Sequence, residues 1–359
     1  MKVFSIVGAR PQFIKAAPVC RALRERHTEV LVHTGQHYDY AMSEVFFEEL
    51  GIPAPDFNLA VGSGSHAQMT AEMLGPIERL LIDEKPDCVL VYGDTNTTLA
   101  GGLAAAKLNI PVAHVEAGLR SFDRTMPEEI NRVVVDHLST VLLCPTTTAV
   151  ANLQHEGITA GVELVGDVML DTARFFAETW DASSVLADFE VEPGGYYLAT
   201  VHRASNSDSP ERLAAIVDAF TALGKPVVWP VHPRTSKNLA RFGLEERVLA
   251  SGDVRAVDPV GYRETSALLR NAAGLFTDSG GMQKEAYFLS VPCVTLRDET
   301  EWVETVESGW NTLTGADTER ILAAARSLAR PDTRSDVYGD GHAASKVVDA
   351  LERQLGARS

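Results

Sequence analysis

One stretch gathers groups able to move protons and hold anions: His114-Val-Glu-Ala-Gly-Leu-Arg-Ser-Phe-Asp-Arg-Thr-Met-Pro-Glu-Glu-Ile-Asn-Arg132. It carries the carboxylates Glu116, Asp123, Glu128 and Glu129 and the arginines Arg120, Arg124 and Arg132. Carboxylates set around one carbon can act as general base and general acid. Grouped closely, they raise one another's pKa and hold a proton near neutrality. Each also has a structural reading. Glu128 and Glu129 follow Pro127 and open a helix, where negative charge is favourable. Glu128 and Arg132 are spaced i,i+4 and would pair on a helix face. Glu116 ends an apolar strand ahead of a glycine turn, where a carboxylate has little structural purpose unless it pairs with Arg120.

Further stretches point to anion binding. Gly8-Ala-Arg-Pro-Gln-Phe-Ile-Lys15 follows the first apolar run and starts a helix, with Pro11 suited to its first position. A helix start presents free N–H groups, and Arg10 and Lys15 add full charges, so this turn has the form of a phosphate site. It is neither a GxGxxG fingerprint nor a Walker A loop. Thr34-Gly-Gln-His-Tyr-Asp39 and Tyr92-Gly-Asp-Thr-Asn96 also follow strands. Asp94 reads either as a crevice residue or as the N-cap of the next helix. Ala199-Thr-Val-His-Arg203 and Val231-His-Pro-Arg234 end strands with His202 and His232 beside basic residues, which suggests an anion-facing rim. In Thr277-Asp-Ser-Gly-Gly-Met-Gln-Lys-Glu-Ala286 a strand leads into Ser279, Gly280 and Gly281 and then a helix. The glycines let backbone N–H groups approach a diphosphate, and Glu285, one turn on, suits the two hydroxyls of a ribose.

The elements that must position these groups alternate. Strands are expected at Val3–Val7, Glu29–Thr34, Cys88–Tyr92, Val112–Val115, Val141–Cys144 and Val162–Val165, with helices such as Thr97–Lys107 and Glu128–Leu138 between them. The pattern restarts with strands at Tyr196–Val201, Val227–Trp229, Gly274–Thr277 and Pro292–Leu296 and helices at Ser209–Leu223, Tyr262–Asn271 and Gly281–Leu289. Ser209 suits an N-cap, with Pro210 at the first helical position. Continuous apolar strands between helices mean parallel sheets covered on both faces. The fold class is therefore α/β, with two Rossmann-like doubly wound domains facing a central cleft. The expected division is 1–170, with the last helix 343–359 packing back on it, and 171–342.

A chain of 359 residues suits two such domains. Its net charge of -17 argues against nucleic acid or an anionic membrane as partner. Cys20, Cys88, Cys144 and Cys293 are widely spaced without CxxC and read as buried apolar residues, with no metal site. No signal peptide or membrane span is evident, so a cytoplasmic location is expected.

Taken together, GARPQFIKAAPV, TGQHYD, YGDTNTTLAG, HVEAGLRSFDRTMPEEINR, VGDVMLDT, VHR, PVHPRT, TDSGGMQKEA, VTLRDETEW and YGDGHAA resemble the non-hydrolysing UDP-N-acetylglucosamine 2-epimerase family over nearly the whole chain. The resemblance implies the GT-B fold and Asp94, Glu116 and Glu128 as catalytic carboxylates. It implies His202 near the leaving diphosphate, Ser279, Gly280 and Gly281 on the diphosphate, and Glu285 on the ribose. Arg10 and Lys15 would face the phosphates and sugar, with Arg132, His232 and Arg297 as further substrate contacts. It also implies a homodimer, no cofactor, and sugars destined for cell-surface polysaccharide. Two departures stand out. Members activated by a second UDP-GlcNAc carry a further glutamine after QH, where this chain has Tyr38-Asp-Tyr-Ala-Met-Ser-Glu44. The GARPQFIK, QKEAYFL and RDETEWVETVESGWN wording is closer to the branch acting on UDP-2,3-diacetamido-glucuronic acid.

The residues suit the reaction. Carbon 2 of a nucleotide sugar has no neighbouring carbonyl to acidify its proton. Without a nicotinamide fingerprint, the route left is to expel UDP from C1 while a base takes the C2 proton, giving a 2-acetamidoglucal, and then to add UDP back. A hydrolysing epimerase, a GT-B glycosyltransferase and a non-catalytic nucleotide-sugar sensor are the other readings.

Overall fold

The computed structural model describes residues 1–35, 47 and 49–356. The QH-following segment, Tyr38 to Glu44, lies outside them. The chain divides into two compact units, Met1–Thr172 together with the chain from Asp336 onward, and Ala173–Ser335.

In the first unit seven strands form one parallel sheet: β1 (Lys2–Val7), β2 (Thr28–His33), β3 (Phe57–Asn58), β4 (Cys88–Tyr92), β5 (Val112–Val115), β6 (Val141–Cys144) and β7 (Val162–Leu164). Their spatial order is β3-β2-β1-β4-β5-β6-β7. The chain builds outward from β1 in one direction, then returns to β1's other side and builds the opposite way. Helices cover the sheet because the strands are apolar on both faces. Phe4, Ile6, Val32, Val89 and Val91 pack with Met73, Ile77 and Leu81 of the helix His66–Glu84 and with Ala100 and Ala104 of the helix Asn96–Lys107. The final helix, Ala343–Leu355, is capped within this unit by Asp171, whose carboxylate accepts from the Ala343 and Ala344 N–H groups at 3.0 and 2.8 Å. From the middle of this helix Asp349 pairs at 2.6 Å with Arg26, the last residue of the helix Arg10–Arg26.

The second unit repeats the plan with six parallel strands: β8 (Tyr197–Thr200), β9 (Val227–Pro230), β10 (Val254–Val257), β11 (Gly274–Thr277), β12 (Cys293–Thr295) and β13 (Asn311–Leu313). Their order is β10-β9-β8-β11-β12-β13. Successive residues point to opposite faces. Tyr197, Ala199, Trp229 and Phe276 join one core, while Tyr196, Leu198, Val228 and Leu275 join the other. The helix Pro210–Thr221 starts at Ser209, whose hydroxyl accepts from the Arg212 N–H at 3.2 Å, as the sequence predicts.

Both sheets are the parallel, doubly wound type expected from the apolar runs. Three strands had no sequence signal: β3, β10 and β13. All three lie at sheet edges. An edge strand is covered less completely, so it needs no continuous apolar run, and Phe57-Asn58, Val254-Arg-Ala-Val257 and Asn311-Thr-Leu313 have none. Among the described residues no helix is long and apolar enough to cross a membrane.

Candidate active site

Open parallel sheets take their ligands beyond the carboxyl ends of the strands, where the strand order reverses. In the first unit that point lies between β1 and β4. The turn after β1 leads into the helix Arg10–Arg26, and the turn after β4 carries Gly93 and Asp94. Gln12 ties the two turns together. Its Oε1 accepts from the Gly8 and Ala9 N–H groups at 2.9 and 3.1 Å, and its Nε2 donates to the Tyr92 carbonyl and Thr98 Oγ1 at 3.0 and 3.1 Å. This changes the reading of the first turn. The helix begins one residue early, so Pro11 is its second residue, and Gln12 already occupies two of the N–H groups expected to face an anion. Positive charge at this turn therefore comes from the Arg10 and Lys15 side chains.

Lys15 is buried, and its ammonium forms a short ion pair with Glu116, 101 residues further along the chain. Arg120, the partner anticipated for Glu116, is taken elsewhere: it pairs with Asp136 at 2.7 Å and with Glu156 through two bonds of 2.7 and 2.9 Å. Glu116 has φ +73°, a left-handed conformation that side chains seldom adopt. Such strain persists where the surroundings over-determine it, and often at functional sites. The Lys15–Glu116 pair rests on Gly93, which has φ +62°. A Cβ at Gly93 would come within 2.9 Å of Lys15 Nζ and 3.2 Å of Glu116 Oε2. Gly93→Ala should therefore displace the ion pair. Its expected cost is about 1–2 kcal/mol of stability and about 100-fold in kcat through misplacement of reacting groups. Steady-state kinetics and a denaturant titration check both, and wild-type kcat in a folded variant would sink the claim.

Asp94 is not a helix cap, since Thr95 holds that place with its side chain on the Thr98 N–H. Its carboxylate instead receives Arg132 Nη2 at 2.5 Å, and its carbonyl receives Asn131 Nδ2 at 2.8 Å. Arg132 also donates to Glu129 Oε2 at 3.0 Å. Glu116 and Asp94 each face a cation of their own, and those cations come from distant parts of the chain or from a helix face.

The two helix-opening glutamates have different fates. Glu128 is exposed and makes no hydrogen bond or ion pair with a described residue. Glu129 is buried and accepts from the Ser121 and Phe122 N–H groups at 2.9 and 3.0 Å and from the Ser121 hydroxyl at 3.1 Å. It thereby folds residues 121–122 onto the helix Pro127–Leu138. Burial alone would push its pKa up, but the Ser121 N–H, the Arg132 guanidinium and the Phe122 N–H outweigh that and leave it below the usual carboxylate range. A lowered native pKa contributes stability that is full above the unfolded value of about 4.3 and is lost as pH falls through the native value. Glu129→Gln should thus cost about 2 kcal/mol at pH 7 and show a shallower acid-side loss of stability. Thermal melts from neutral to acid pH test this; an unchanged acid slope would contradict it.

In the second unit the strand order reverses between β8 and β11. Here Asp278, fully buried, ties the two turns. Its carboxylate accepts from the His202 N–H at 3.0 Å, the Arg203 N–H at 3.1 Å and Asn206 Nδ2 at 3.1 Å. The His202 ring lies 5.8 Å from the His232 ring. His232 caps the helix Pro233–Arg241, with Nδ1 accepting from the Arg234 N–H at 3.2 Å. Ser279 caps the helix Gly280–Phe288, its hydroxyl accepting from the Met282 N–H at 3.4 Å. A Cβ on Gly280 would strike the Glu301 carboxylate. A side chain at this position would thus have to displace the Glu301 carboxylate, apart from any ligand. Glu301 in turn pairs with buried Arg297 at 3.0 Å and approaches Arg203 at 3.9 Å. Glu285 is buried one turn into that helix.

The structure therefore brings Lys15, Glu116, Asp94 and Arg132 together in one unit, and His202, His232, Ser279, Gly280 and Arg297 around one sheet end in the other. Glu128 is exposed at the start of its helix and makes no hydrogen bond or ion pair with a described residue. Sequence reasoning passed over Gln12 and Asp278. Both were visible as polar residues directly before or after a candidate turn, but nothing in the sequence shows which distant N–H groups they accept. Among the described residues no group of acidic, histidine or cysteine side chains is set to hold a metal.

Comparison with known proteins bears on this geometry. The family model described as UDP-N-acetylglucosamine 2-epimerase matches residues 21–352. A UDP-N-acetylglucosamine 2-epimerase homolog of Methanococcus maripaludis is 51% identical over 98% of this chain and 99% of its own. The UDP-2,3-diacetamido-2,3-dideoxy-D-glucuronate 2-epimerase of Pseudomonas aeruginosa is 49% identical over 98% of this chain and all of its own. The crystal structure of Methanocaldococcus jannaschii UDP-GlcNAc 2-epimerase, in complex with UDP-GlcNAc and UDP, superposes with a TM-score of 0.89 at 43% identity, over 98% of this chain and 100% of that one.

Proposed function

This chain belongs to the UDP-N-acetylglucosamine 2-epimerase family and is an isomerase, and we propose that it inverts C2 of a UDP-N-acetylhexosamine, interconverting UDP-GlcNAc and UDP-ManNAc without hydrolysing them. The observation that carries the mechanism is Glu116, a carboxylate held in a left-handed turn beside Gly93 and Asp94 at the ligand end of its sheet.

In the proposed reaction one carboxylate takes the C2 proton. The C1–O bond to the β-phosphate breaks, its electron pair leaves with UDP, and C1=C2 forms. Another carboxylate then protonates C2 from the opposite face while UDP re-forms the C1–O bond. No net proton or electron is consumed. Asp94, Glu116 and Glu128 share the acid and base roles, which must act on two faces of one carbon. His202 assists the leaving diphosphate, and Ser279, Gly280, Gly281 and Arg297 hold it, since fixed donors aimed at developing charge are the strongest aid to such a departure. Glu285 takes the ribose. Arg10, Lys15, Arg132 and His232 contribute positive charge or hydrogen bonds to phosphates and sugar. Glu128 is exposed at the start of its helix. The lack of a dinucleotide fingerprint favours this elimination over transient oxidation.

A second substrate has specific support: the 49% identical Pseudomonas aeruginosa relative is named for UDP-2,3-diacetamido-2,3-dideoxy-D-glucuronate. Proton NMR of the purified protein with each nucleotide sugar in D2O tests both. The expected product is the C2 epimer carrying deuterium at C2, formed without added cofactor. Release of free sugar would point to a hydrolase, and no turnover of either would sink the reading. We further propose a cytoplasmic homodimer. Four buried free cysteines and a nucleotide-sugar substrate suit that compartment, and light scattering checks the dimer.

A further inference from the structure

Behind the Glu116 turn lies a chain of charges, buried from His114 through Asp136 to Arg120, that no step above uses. His114, on β5, is fully buried. Its Nε2 lies 2.7 Å from the Gly93 carbonyl and its Nδ1 2.7 Å from Asp136 Oδ1. Asp136 comes from the helix Pro127–Leu138, and its Oδ2 accepts from Arg120 Nη1 at 2.7 Å and from the Gly118 N–H at 3.1 Å. Arg120 ends on Glu156 at the close of the helix Thr147–His155, and Glu156 meets surface His137 at 3.3 Å. Cys144 from β6 also faces Asp136, with burial pushing its thiol up to about 12, so it adds no charge. A carbonyl oxygen accepts only, and so does an ionised carboxylate. Burial would raise Asp136, but His114 and Arg120 outweigh it and hold its pKa below the usual range. Both ring nitrogens of His114 therefore face acceptors and both must donate.

We propose that His114 is a buried imidazolium that positions the Gly93 turn, and with it Asp94 and the Lys15–Glu116 pair, for the C2 chemistry. The positioning half rests on the epimerase reading; the charge state does not. The charges balance along the chain as imidazolium, carboxylate, guanidinium, carboxylate. An unpaired buried charge would be costly, whereas a chain with every donor and acceptor matched is rigid. The Nε2–H···O=C bond reaches the residue on which Lys15 Nζ and Glu116 Oε2 rest. His114 is thus a positioning residue that does not touch substrate.

Two measurements test this. Nitrogen-15 NMR of histidine-labelled apo protein at neutral pH should show protons on both His114 ring nitrogens, since each faces an acceptor. Asp136→Asn, whose amide can donate to Nδ1, should remove the Nδ1 proton. A singly protonated ring in wild type at neutral pH overturns the charge assignment, whether or not the protein turns over any sugar. For positioning, His114→Gln places an amide N–H where Nε2 was and keeps the Gly93 bond, while His114→Asn keeps only the Asp136 contact. We expect His114→Gln to stay within about fivefold of wild-type kcat and His114→Asn to fall about 100-fold, with UDP affinity unchanged in both. Each variant loses one bond and one charge, so a merely structural role predicts equal losses. Equal losses, or the reverse order, overturn the positioning role.

Discussion

Glu116→Gln should lower kcat by about 1,000-fold while UDP binding survives. Glutamine keeps the size and one acceptor oxygen, so Lys15 still finds a partner and the turn keeps its shape. What is lost is the negative charge and the capacity to take a proton. Isothermal titration with UDP should give a dissociation constant near that of wild type, because Ser279, Gly280, Gly281, Arg297 and Glu285, proposed above for the diphosphate and ribose, lie on the other unit and Lys15 keeps its charge. The same variant should stop deuterium entering C2 of UDP-GlcNAc in D2O, since exchange at that carbon needs the base even when no product accumulates. Activity within tenfold of wild type would remove Glu116 from the mechanism. Loss of both turnover and UDP binding would show instead that the Lys15–Glu116 pair is needed for the nucleotide site.

Asp278→Ala should cost on the order of 4 kcal/mol of stability, because it strands the His202 and Arg203 N–H groups and the Asn206 amide in a buried place. The turn carrying His202 would then lose its tether to β11. UDP affinity should fall by at least about tenfold, since binding would have to order that turn again. Asp278→Asn keeps one acceptor oxygen and should fall between the two. Urea titrations measure the first effect and UDP titration calorimetry the second. A folded Asp278→Asn with wild-type UDP affinity would show that His202 and Arg203 need no help from Asp278.

Gln12 and Asp278 flank the reversal of strand order in the two sheets, Gln12 after β1 and Asp278 after β11. Each is a buried polar side chain at the reversal of strand order: Asp278 accepts N–H groups of the turn after β8, and Gln12 accepts N–H groups of its own turn while donating to the Tyr92 carbonyl at the end of β4. The reason is general. Turns at this point must leave the sheet, so their N–H groups lose ladder partners, and a buried N–H without a partner is costly. One side chain meets that need and fixes two turns at once.

Much of this protein is determined locally and was legible in its sequence. Short apolar runs such as Cys88–Tyr92 and Val141–Cys144, set between helical patterns, read as buried parallel strands, and the helices between them follow from their own periodicity and caps, as at Ser209. The order of motifs also identifies the family, and with it the residues worth testing. Only the tertiary structure decided which charges meet. Arg120 looked like the natural partner of Glu116 four residues away, yet the left-handed turn at Glu116 sends its carboxylate to Lys15, and Arg120 goes to Asp136 and Glu156. Adjacent Glu128 and Glu129 read alike, but successive residues of a helix point about 100° apart, so one is buried as the anchor of residues 121–122 and the other is exposed. Edge strands, the Gln12 and Asp278 tethers and the His114 chain depend on contacts between residues far apart in sequence. Side-chain type and spacing state what a residue is able to do; its partner is set by the packing of the whole sheet.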